Sequence, residues 1–163
     1  MMLTNFIDII KQVLIHEGGD KVTNDPVDPG GTTKYGISKK AYPNVDIESL
    51  DEKDAIEIYM EDYWVPSKAD QLPDNLKHIY FDMCVNMGKR RAVRILQKAL
   101  NNKGAKLVVD GGIGKMTLGA AHSINLEPDR LRAYRVKYYA ELINRKPSLE
   151  KYYYGWFRRS LEV

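Results

Sequence analysis

The chain of 163 residues carries a net charge of +3, with 44% hydrophobic and 29% charged residues. This length supports one compact domain or two small lobes that share a core, and the composition is that of a globular protein. No apolar run approaches the ~20 residues that a membrane-spanning helix needs, so we expect no membrane insertion. The single cysteine excludes an internal disulfide and a multi-cysteine metal site, and the histidines lack metal-ligand spacing. We therefore expect no metal and no other cofactor.

The first predicted helix runs from Thr4 to about His16 and is followed by a carboxylate, Glu17. Apolar residues recur along it at steps of three and four: Leu3, Ile7, Ile10 and Leu14, widened by Phe6 and Val13. The next step places Glu17 at the edge of the core, and Gly18 and Gly19 suit the left-handed conformation that ends a helix. Partial burial and the negative end of the helix dipole both raise a carboxyl pKa. Glu17 is therefore a candidate general acid, with a solvated last-turn side chain as the alternative.

The next segment, residues 18–36, is dense in Gly, Pro, Asp, Asn and Thr. This density predicts an irregular loop with short extended pieces around Val22 and at 33–35. Capping residues and apolar periodicity predict the later helices: Lys39 to about Tyr42, Asp51 to about Tyr63 with Pro66 as its stop, 75–87, 90–101, from about Thr117, 128 to about 144, and a last helix capped by Ser148. A short extended piece is expected at 107–109. The chain is thus predicted to be mainly α.

The loop also holds candidates for a second reactive group. Cleavage of a glycosidic bond needs an acid for the leaving oxygen and a second group that activates water or stabilises the oxocarbenium ion. Asp25 and Asp28 lie in this loop, and a carboxylate that faces Glu17 across a cleft would complete the pair. The alternative is structural, because Asp-Pro steps are common turn starters. Gly30 and Gly31 would let the loop approach a ligand closely.

Charge is divided unevenly along the chain. Residues 1–88 hold 8 basic and 16 acidic residues, a balance of −8, whereas residues 89–163 hold 17 and 6, a balance of +11. The second part, with the run Lys89-Arg90-Arg91, is therefore suited to a polyanion, which could be nucleic acid, anionic lipid or an anionic cell-wall polymer. The alternative is that the two parts neutralise each other across an internal contact.

One long ordered run closely resembles the signature of glycoside hydrolase family 108. The run is Glu17-Gly18-Gly19, Asn24-Asp25-Pro26, Asp28-Pro29-Gly30-Gly31, Thr33 and Tyr35-Gly36-Ile37. Further similarities follow in order: Tyr63-Trp64, Asp82 with Asn86 and Gly88, Leu96-Gln97, and a C-terminal Gly155-Trp156 with Arg159. Residues 109–114 with Thr117 resemble the Asp-Gly-x-x-Gly turn of peptidoglycan-binding modules. Members of the family are lysozyme-like N-acetylmuramidases of phage endolysins and of bacterial proteins once named secretion activators.

The resemblance implies a lysozyme-like, two-lobed helical fold with one irregular loop or short β-hairpin between the first two helices. It implies a catalytic region at 1–88 and a helical peptidoglycan-binding-like region at 89–163 packed on it. Glu17 takes the place of the family's acid, and Asp28 and Thr33, then Asp25, are candidates for the second group. Asp20 stands where the family usually has an aromatic residue.

Other expected contacts also come from the resemblance. Substrate contacts are expected from Gly30, Gly31, Tyr35, Tyr63, Trp64, Asp82 and Asn86, and contacts to the cell wall from Asp110, Gly111 and Gly114. Aromatic rings stack well on the apolar faces of sugars, although core packing is the alternative for Trp64.

The expected function is hydrolysis of the β-1,4 bond between N-acetylmuramic acid and N-acetylglucosamine in peptidoglycan. A lytic transglycosylase and a non-catalytic peptidoglycan-binding or secretion-assisting protein are the alternatives. Nucleic acid is not expected as a partner, because no basic and aromatic recognition motif is present. We expect a monomer that is made in the bacterial cytoplasm without a signal peptide. It would act in the cell wall or periplasm after holin-type or other export.

Overall fold

The computed structural model describes residues 2–27 and 30–163, and the protein is mainly α-helical with one small antiparallel hairpin. In chain order the elements are α1 (Phe6–His16), β1 (Thr33–Lys34), β2 (Ile37–Ser38), α2 (Glu52–Tyr59), a π-helix (Met60–Trp64), α3 (Val65–Ser67), a 3₁₀ turn (Ala69–Gln71), α4 (Asp74–Met87), α5 (Lys89–Asn102), α6 (Lys115–Ser123), α7 (Pro128–Arg145), a 3₁₀ turn (Pro147–Leu149) and α8 (Glu150–Glu162). The fold class expected from the sequence is confirmed. Over these described ranges, no helix is both long and apolar enough to cross a membrane.

The first helix, α1, carries Glu17 on its buried side, although not by the predicted set of residues. Ile7 is 48% exposed, so its assignment to the apolar face is wrong. The buried residues are Phe6, Ile9, Ile10, Val13 and Leu14. Steps of four, three and four from Phe6 lead through Ile10 and Val13 to Glu17, so the corrected face still points the glutamate toward the core.

The segment after α1 forms a hairpin with a two-residue turn. Tyr35 and Gly36 both have positive φ values, 54° and 75°, as a type I′ turn between antiparallel strands requires. A backbone hydrogen bond of 3.0 Å from Tyr35 N to Gly19 O ties this turn to the end of α1. Thr23 adds a bridge to Thr33. The hairpin is therefore held against the segment that carries Glu17.

Two predictions for the chain after this hairpin are wrong. At 39–42 only a single turn forms instead of a helix: Ser38 accepts from Ala41 N through its hydroxyl and from Tyr42 N through its carbonyl, and Pro43 follows directly. Pro66 does not stop the helical path, which continues through the π-helix and α3 to Lys68, where φ is +56°. Proline is tolerated there because it lies at the start of a helical turn, where its missing N–H is not needed.

The core lies around α4, which packs against α1, α5 and α7. Long helices α7 and α8 pack along each other, and α7 buries Leu131, Arg135 and Tyr139 at steps of four. Ser148 lies in the 3₁₀ turn before α8 and does not cap it, contrary to the prediction. Residues 107–109 form no strand.

Candidate active site

Glu17 lies at the C-terminal end of α1, where the chain turns sharply toward the hairpin. It is the C-cap residue, and its N–H bonds to Val13 O at 2.9 Å. Gly18 and Gly19 follow with φ values of +98° and +59°, which supports the left-handed ending expected from the sequence. The Glu17 side chain is 21% exposed. It is therefore neither sealed inside the core nor free in solvent.

Arg159, on α8, joins Glu17 to Asp82 on α4. Its Nη1 donates to Glu17 Oε1 at 2.9 Å, although the two residues are 142 positions apart. Its Nε and Nη2 donate to the Asp82 carboxylate at distances of 2.9–3.2 Å. The planar guanidinium thus bridges two carboxylates with different edges.

A second arginine, Arg135 on α7, completes this ion network. Its Nη2 donates to Asp82 Oδ2 at 2.7 Å and to Asn86 Oδ1 at 3.1 Å. The hydroxyl of Tyr139 also donates to Asn86 Oδ1. Arg135 and Asp82 have no exposed side-chain surface. Nε and Nη1 of Arg135 have no hydrogen-bond partner among the described residues.

The electrostatics of the network follow from burial and pairing. Burial disfavours the Asp82 carboxylate, but Arg135 and Arg159 more than offset this and hold its pKa below the ordinary value. Burial likewise opposes the charge of Arg159, yet Asp82 and Glu17 raise its pKa above normal. For Glu17, burial is the largest effect and raises the pKa, with Arg159 opposing it. Glu17 is thus the one carboxyl group of the network whose protonated form is favoured relative to free glutamate.

The backbone of Gly36 lies close to the second carboxyl oxygen of Glu17. A Cβ atom at this position would lie 2.7 Å from Glu17 Oε2 and 2.7 Å from the Tyr59 hydroxyl. Tyr59 is held by a 2.8 Å bond from its hydroxyl to Tyr35 O. Burial, with the nearby Glu17 charge, raises the pKa of both Tyr59 and Tyr63. Both hydroxyls therefore stay neutral beside Glu17.

The three candidates for the second catalytic group are placed differently. Asp28 lies outside the described residues. Asp25 is exposed and accepts a 2.9 Å hydrogen bond from Val27 N, which is the turn-forming role weighed for it above. Thr33 lies in β1, and its hydroxyl donates to Gly31 O at 3.3 Å.

The predicted substrate residues divide into accessible and buried groups. Gly30, Gly31 and Tyr63 are partly exposed, and Tyr35 is 9% exposed. Trp64 is 7% exposed and packs against Phe6 and Phe81, with ring centroids 5.1 and 5.0 Å away. Core packing, the alternative weighed for it, is therefore the interpretation that the structure favours.

Asp82 requires correction as a substrate contact, whereas Asn86 stays a prediction. Asp82 has no exposed surface and both of its oxygens bind arginines. Asn86 is partly exposed, and its side-chain oxygen accepts hydrogen bonds from Arg135 and Tyr139. Both residues belong to the ion network behind Glu17.

The turn at 110–112 is fastened to α5 by a buried glutamine. Gln97 Oε1 accepts from Gly111 N at 3.0 Å, and its Nε2 donates to Asp110 Oδ1 at 3.0 Å. Gly111 has a φ of +78°, and a Cβ there would lie 3.0 Å from Arg90 O. The Asp110 carboxylate and the Gly111 N–H are therefore occupied by hydrogen bonds to Gln97 that hold the turn in shape. A groove of about 520 Å³ adjoins it, lined by residues that include Lys106, Val108, Gly114, Lys115 and Met116.

Sequence analysis did not predict Arg135 and Tyr139 as part of the network around Glu17, and it included Arg159 only in a motif. A signal was nevertheless present. Arg135 interrupts a buried apolar series on α7 and Asp82 interrupts the apolar run 79–85 on α4. Two opposite charges in two buried faces point to a pair, because an unpaired buried charge is very costly.

In comparisons with known proteins, two family models match successive parts of the chain. Residues 10–88 match the family described as Glycosyl hydrolase 108, and residues 91–161 match the family described as Predicted Peptidoglycan domain. A solved structure of SagA from Brucella abortus is similar over 96% of this chain and 90% of that chain, with 27% sequence identity and a TM-score of 0.77. No curated protein matches the chain significantly.

These matches define the chain as a peptidoglycan-related hydrolase or binding protein. The families that the sequence run suggested are thus the ones that match: glycosyl hydrolase 108 over residues 10–88 and a peptidoglycan domain over residues 91–161.

Proposed function

We propose that the protein is a lysozyme-type N-acetylmuramidase that hydrolyses the β-1,4 bond between N-acetylmuramic acid and N-acetylglucosamine. The observation that carries the proposal is the position of Glu17. Its carboxyl group is fixed at a helix end between Arg159 and Gly36, and burial raises its pKa. A carboxylic acid that stays protonated closer to neutral pH is suited to donate a proton to the leaving glycosidic oxygen.

The second catalytic group is proposed to come from the segment that follows Glu17. Thr33, Asp28 and Asp25 are the candidates, and the hydrogen bond between Tyr35 and Gly19 supports a hairpin held beside the acid. Such a group would position the attacking water or stabilise the oxocarbenium ion. Gly30, Gly31, Tyr35 and Tyr63 are proposed to contact the glycan.

Residues 89–163 are proposed to hold the enzyme on the wall, with residues 1–88 carrying the reaction. The groove beside Asp110, Gly111 and Gly114 combines exposed apolar side chains with two lysines. In this proposal Asp110 and Gly111 act by shaping the turn, and Gly114 lines the surface that meets the polymer. The protein would be a monomer that acts in the cell wall or periplasm.

The test is digestion of purified peptidoglycan with the wild type and with Glu17→Gln. Hydrolysis leaves reducing-end muramic acid in the products, whereas a lytic transglycosylase leaves 1,6-anhydro ends, and mass spectrometry separates the two. Glu17→Gln is expected to lower activity more than ~10²-fold, because an amide cannot donate the proton. If a folded Glu17→Gln variant keeps more than a tenth of the activity, a residue other than Glu17 is the general acid. A wild type without products would favour a binding protein.

A further inference from the structure

We infer that Arg159 of α8 is the positioning residue for the Glu17 carboxyl group, so that the peptidoglycan-domain region completes the active site of the hydrolase region. This inference rests on the proposed role of Glu17 as the acid. It goes beyond it by assigning to a residue of the C-terminal part a function in the reaction.

The geometry shows how Arg159 fixes the acid. One edge of its guanidinium binds the Asp82 carboxylate through Nε and Nη2, and Nη1 is left to bind Glu17 Oε1 at 2.9 Å. Asp82 is itself held by Arg135, and neither side chain is exposed. The arginine therefore reaches Glu17 from a buried ion pair that holds its guanidinium in place.

The helix that carries Arg159 is also fixed. Trp156, one turn earlier on α8, stacks on Tyr139 with ring centroids 4.8 Å apart and planes at 20°. Tyr139 in turn donates to Asn86 on α4. Packing and hydrogen bonds thus lock α8 to the helices behind the site, which is the support that a positioned catalytic group needs.

Glu17 is consequently confined from two sides. Arg159 binds Oε1, and the backbone of Gly36 lies against Oε2. Orienting a proton donor in this way contributes to rate, and a displacement of about 1 Å can cost ~10²-fold. Arg159 is too strongly paired with Asp82 to act as an acid itself.

The same contact affects the protonation of Glu17, on which several elements act together. The groups that face it are His16 of α1, Asp82 of α4, Arg159 of α8, and Tyr59 and Tyr63 of α2 and the π-helix. Burial raises the Glu17 pKa, whereas Arg159 lowers it. Arg159 therefore limits how far burial raises this pKa, so that the proton remains transferable.

The experiment uses the full chain and compares Arg159→Met and Arg159→Lys with a control, Arg158→Met. Arg158 is the adjacent residue on α8, 60% exposed, and pairs with Glu162 at the surface. The Glu17 carboxyl is titrated by carbon NMR and assigned from its absence in Glu17→Gln. Hydrolysis of a soluble glycan gives kcat and KM, and circular dichroism reports folding.

We expect Arg159→Met to raise the Glu17 pKa and to lower kcat about 10²-fold with little change in KM. Arg159→Lys keeps the charge, so it should leave the titration near that of the wild type and recover part of kcat. Arg158→Met should match the wild type in all three readouts.

An unchanged Glu17 titration in folded Arg159→Met would overturn the inference. A higher KM with an unchanged kcat would also overturn it. If neither Arg159 variant folds, the arginine is a structural anchor for Asp82 and the inference also fails. The titration requires no catalysis, so a wild type that hydrolyses nothing would refute the proposed function and still leave the Arg159 contact tested.

Discussion

At the scale of single residues, the hairpin turn leaves no space for a side-chain atom between Gly36 and the Glu17 carboxyl group. Gly36 meets both the conformational and the spatial requirement of its position. Its φ of +75° disfavours other residues, and a Cβ would lie 2.7 Å from Glu17 Oε2 and 2.9 Å from Glu17 Cβ. A larger residue here would push the acid away from Arg159 or move the hairpin.

Gly36→Ala is accordingly expected to lower kcat by about tenfold or more, because the acid is displaced. The control is Gly104→Ala, since Gly104 has a φ of +108° and no atom within 4 Å of an added Cβ. Both changes carry the backbone cost of a positive φ, roughly 1–2 kcal/mol. Only Gly36→Ala should lose activity once unfolding curves have corrected for the folded fraction. Equal activity in the two variants would contradict this prediction.

How far the sequence predicts this site depends on the range of the contacts involved. The stop of α1 at Glu17 is local, because it follows from the spacing of apolar residues and from two glycines. The partner of Glu17 is not local: Arg159 is 142 positions away, and Arg159 in turn binds Asp82 of α4. Periodicity can show that Asp82 and Arg135 are buried, but it does not show that they meet.

At the scale of secondary structure elements, the Asp82–Arg135 pair connects α4 to α7 inside the core. Asp129 and Arg132 form a pair at the same distance, 2.7 Å, but on the surface of α7, where Asp129 is 93% exposed. The two pairs thus differ in burial and not in length. Buried and exposed ion pairs respond very differently to the loss of one partner.

Asp82→Asn is therefore expected to reduce the free energy of unfolding by about 3–5 kcal/mol, because two buried arginines lose their carboxylate. Asp129→Asn should have little effect. The pKa of Asp82 is lowered in the folded protein, so its stabilising contribution is present above the ordinary aspartate pKa and is lost as pH falls. Urea unfolding at several pH values should show the difference between wild type and Asp82→Asn shrinking toward acid pH. A difference that grows instead would mean that the pair is not ionised at neutral pH.

Element boundaries were predictable where a local rule was sufficient. Asp51 caps α2 with a capping box and Pro128 begins α7, as expected. The segment at 39–42 keeps the predicted Ser38 cap but forms only one turn, because Pro43 follows too soon for a helix to continue. The π-helix before Pro66 has no local sequence signal that we recognise.

At the scale of the whole molecule, the uneven charge is only partly neutralised inside the structure. Among the described residues, the arginines that pair with acids of the first 88 residues are Arg135 and Arg159. Lys89, Arg90 and Arg91 are exposed at the start of α5. They are thus accessible to an anionic polymer, which the proposed wall-binding role needs.

Reversal of Lys89, Arg90 and Arg91 to Glu is expected to weaken binding to intact sacculi, and added salt should weaken wild-type binding in the same way. Exposed charges are screened over ~10 Å at 0.1 M salt. Cleavage of a short soluble glycan should change little in either case. Sedimentation with sacculi and a soluble-substrate assay give the two measurements. If the triple variant unfolds, the cluster serves to neutralise the acidic part, and the wall-binding role is wrong.

The long separation of Glu17 and Arg159 also has a consequence for biosynthesis. Because the arginine follows the glutamate by 142 positions, a ribosome translates α1 and the hairpin long before it reaches α8. N-terminal segments of a nascent chain begin to fold first, so the glutamate is present for most of translation without its guanidinium partner. Chains released early would contain the proposed acid without the group that orients it. The contact between Glu17 and Arg159 can thus form only after the chain has been translated beyond Arg159.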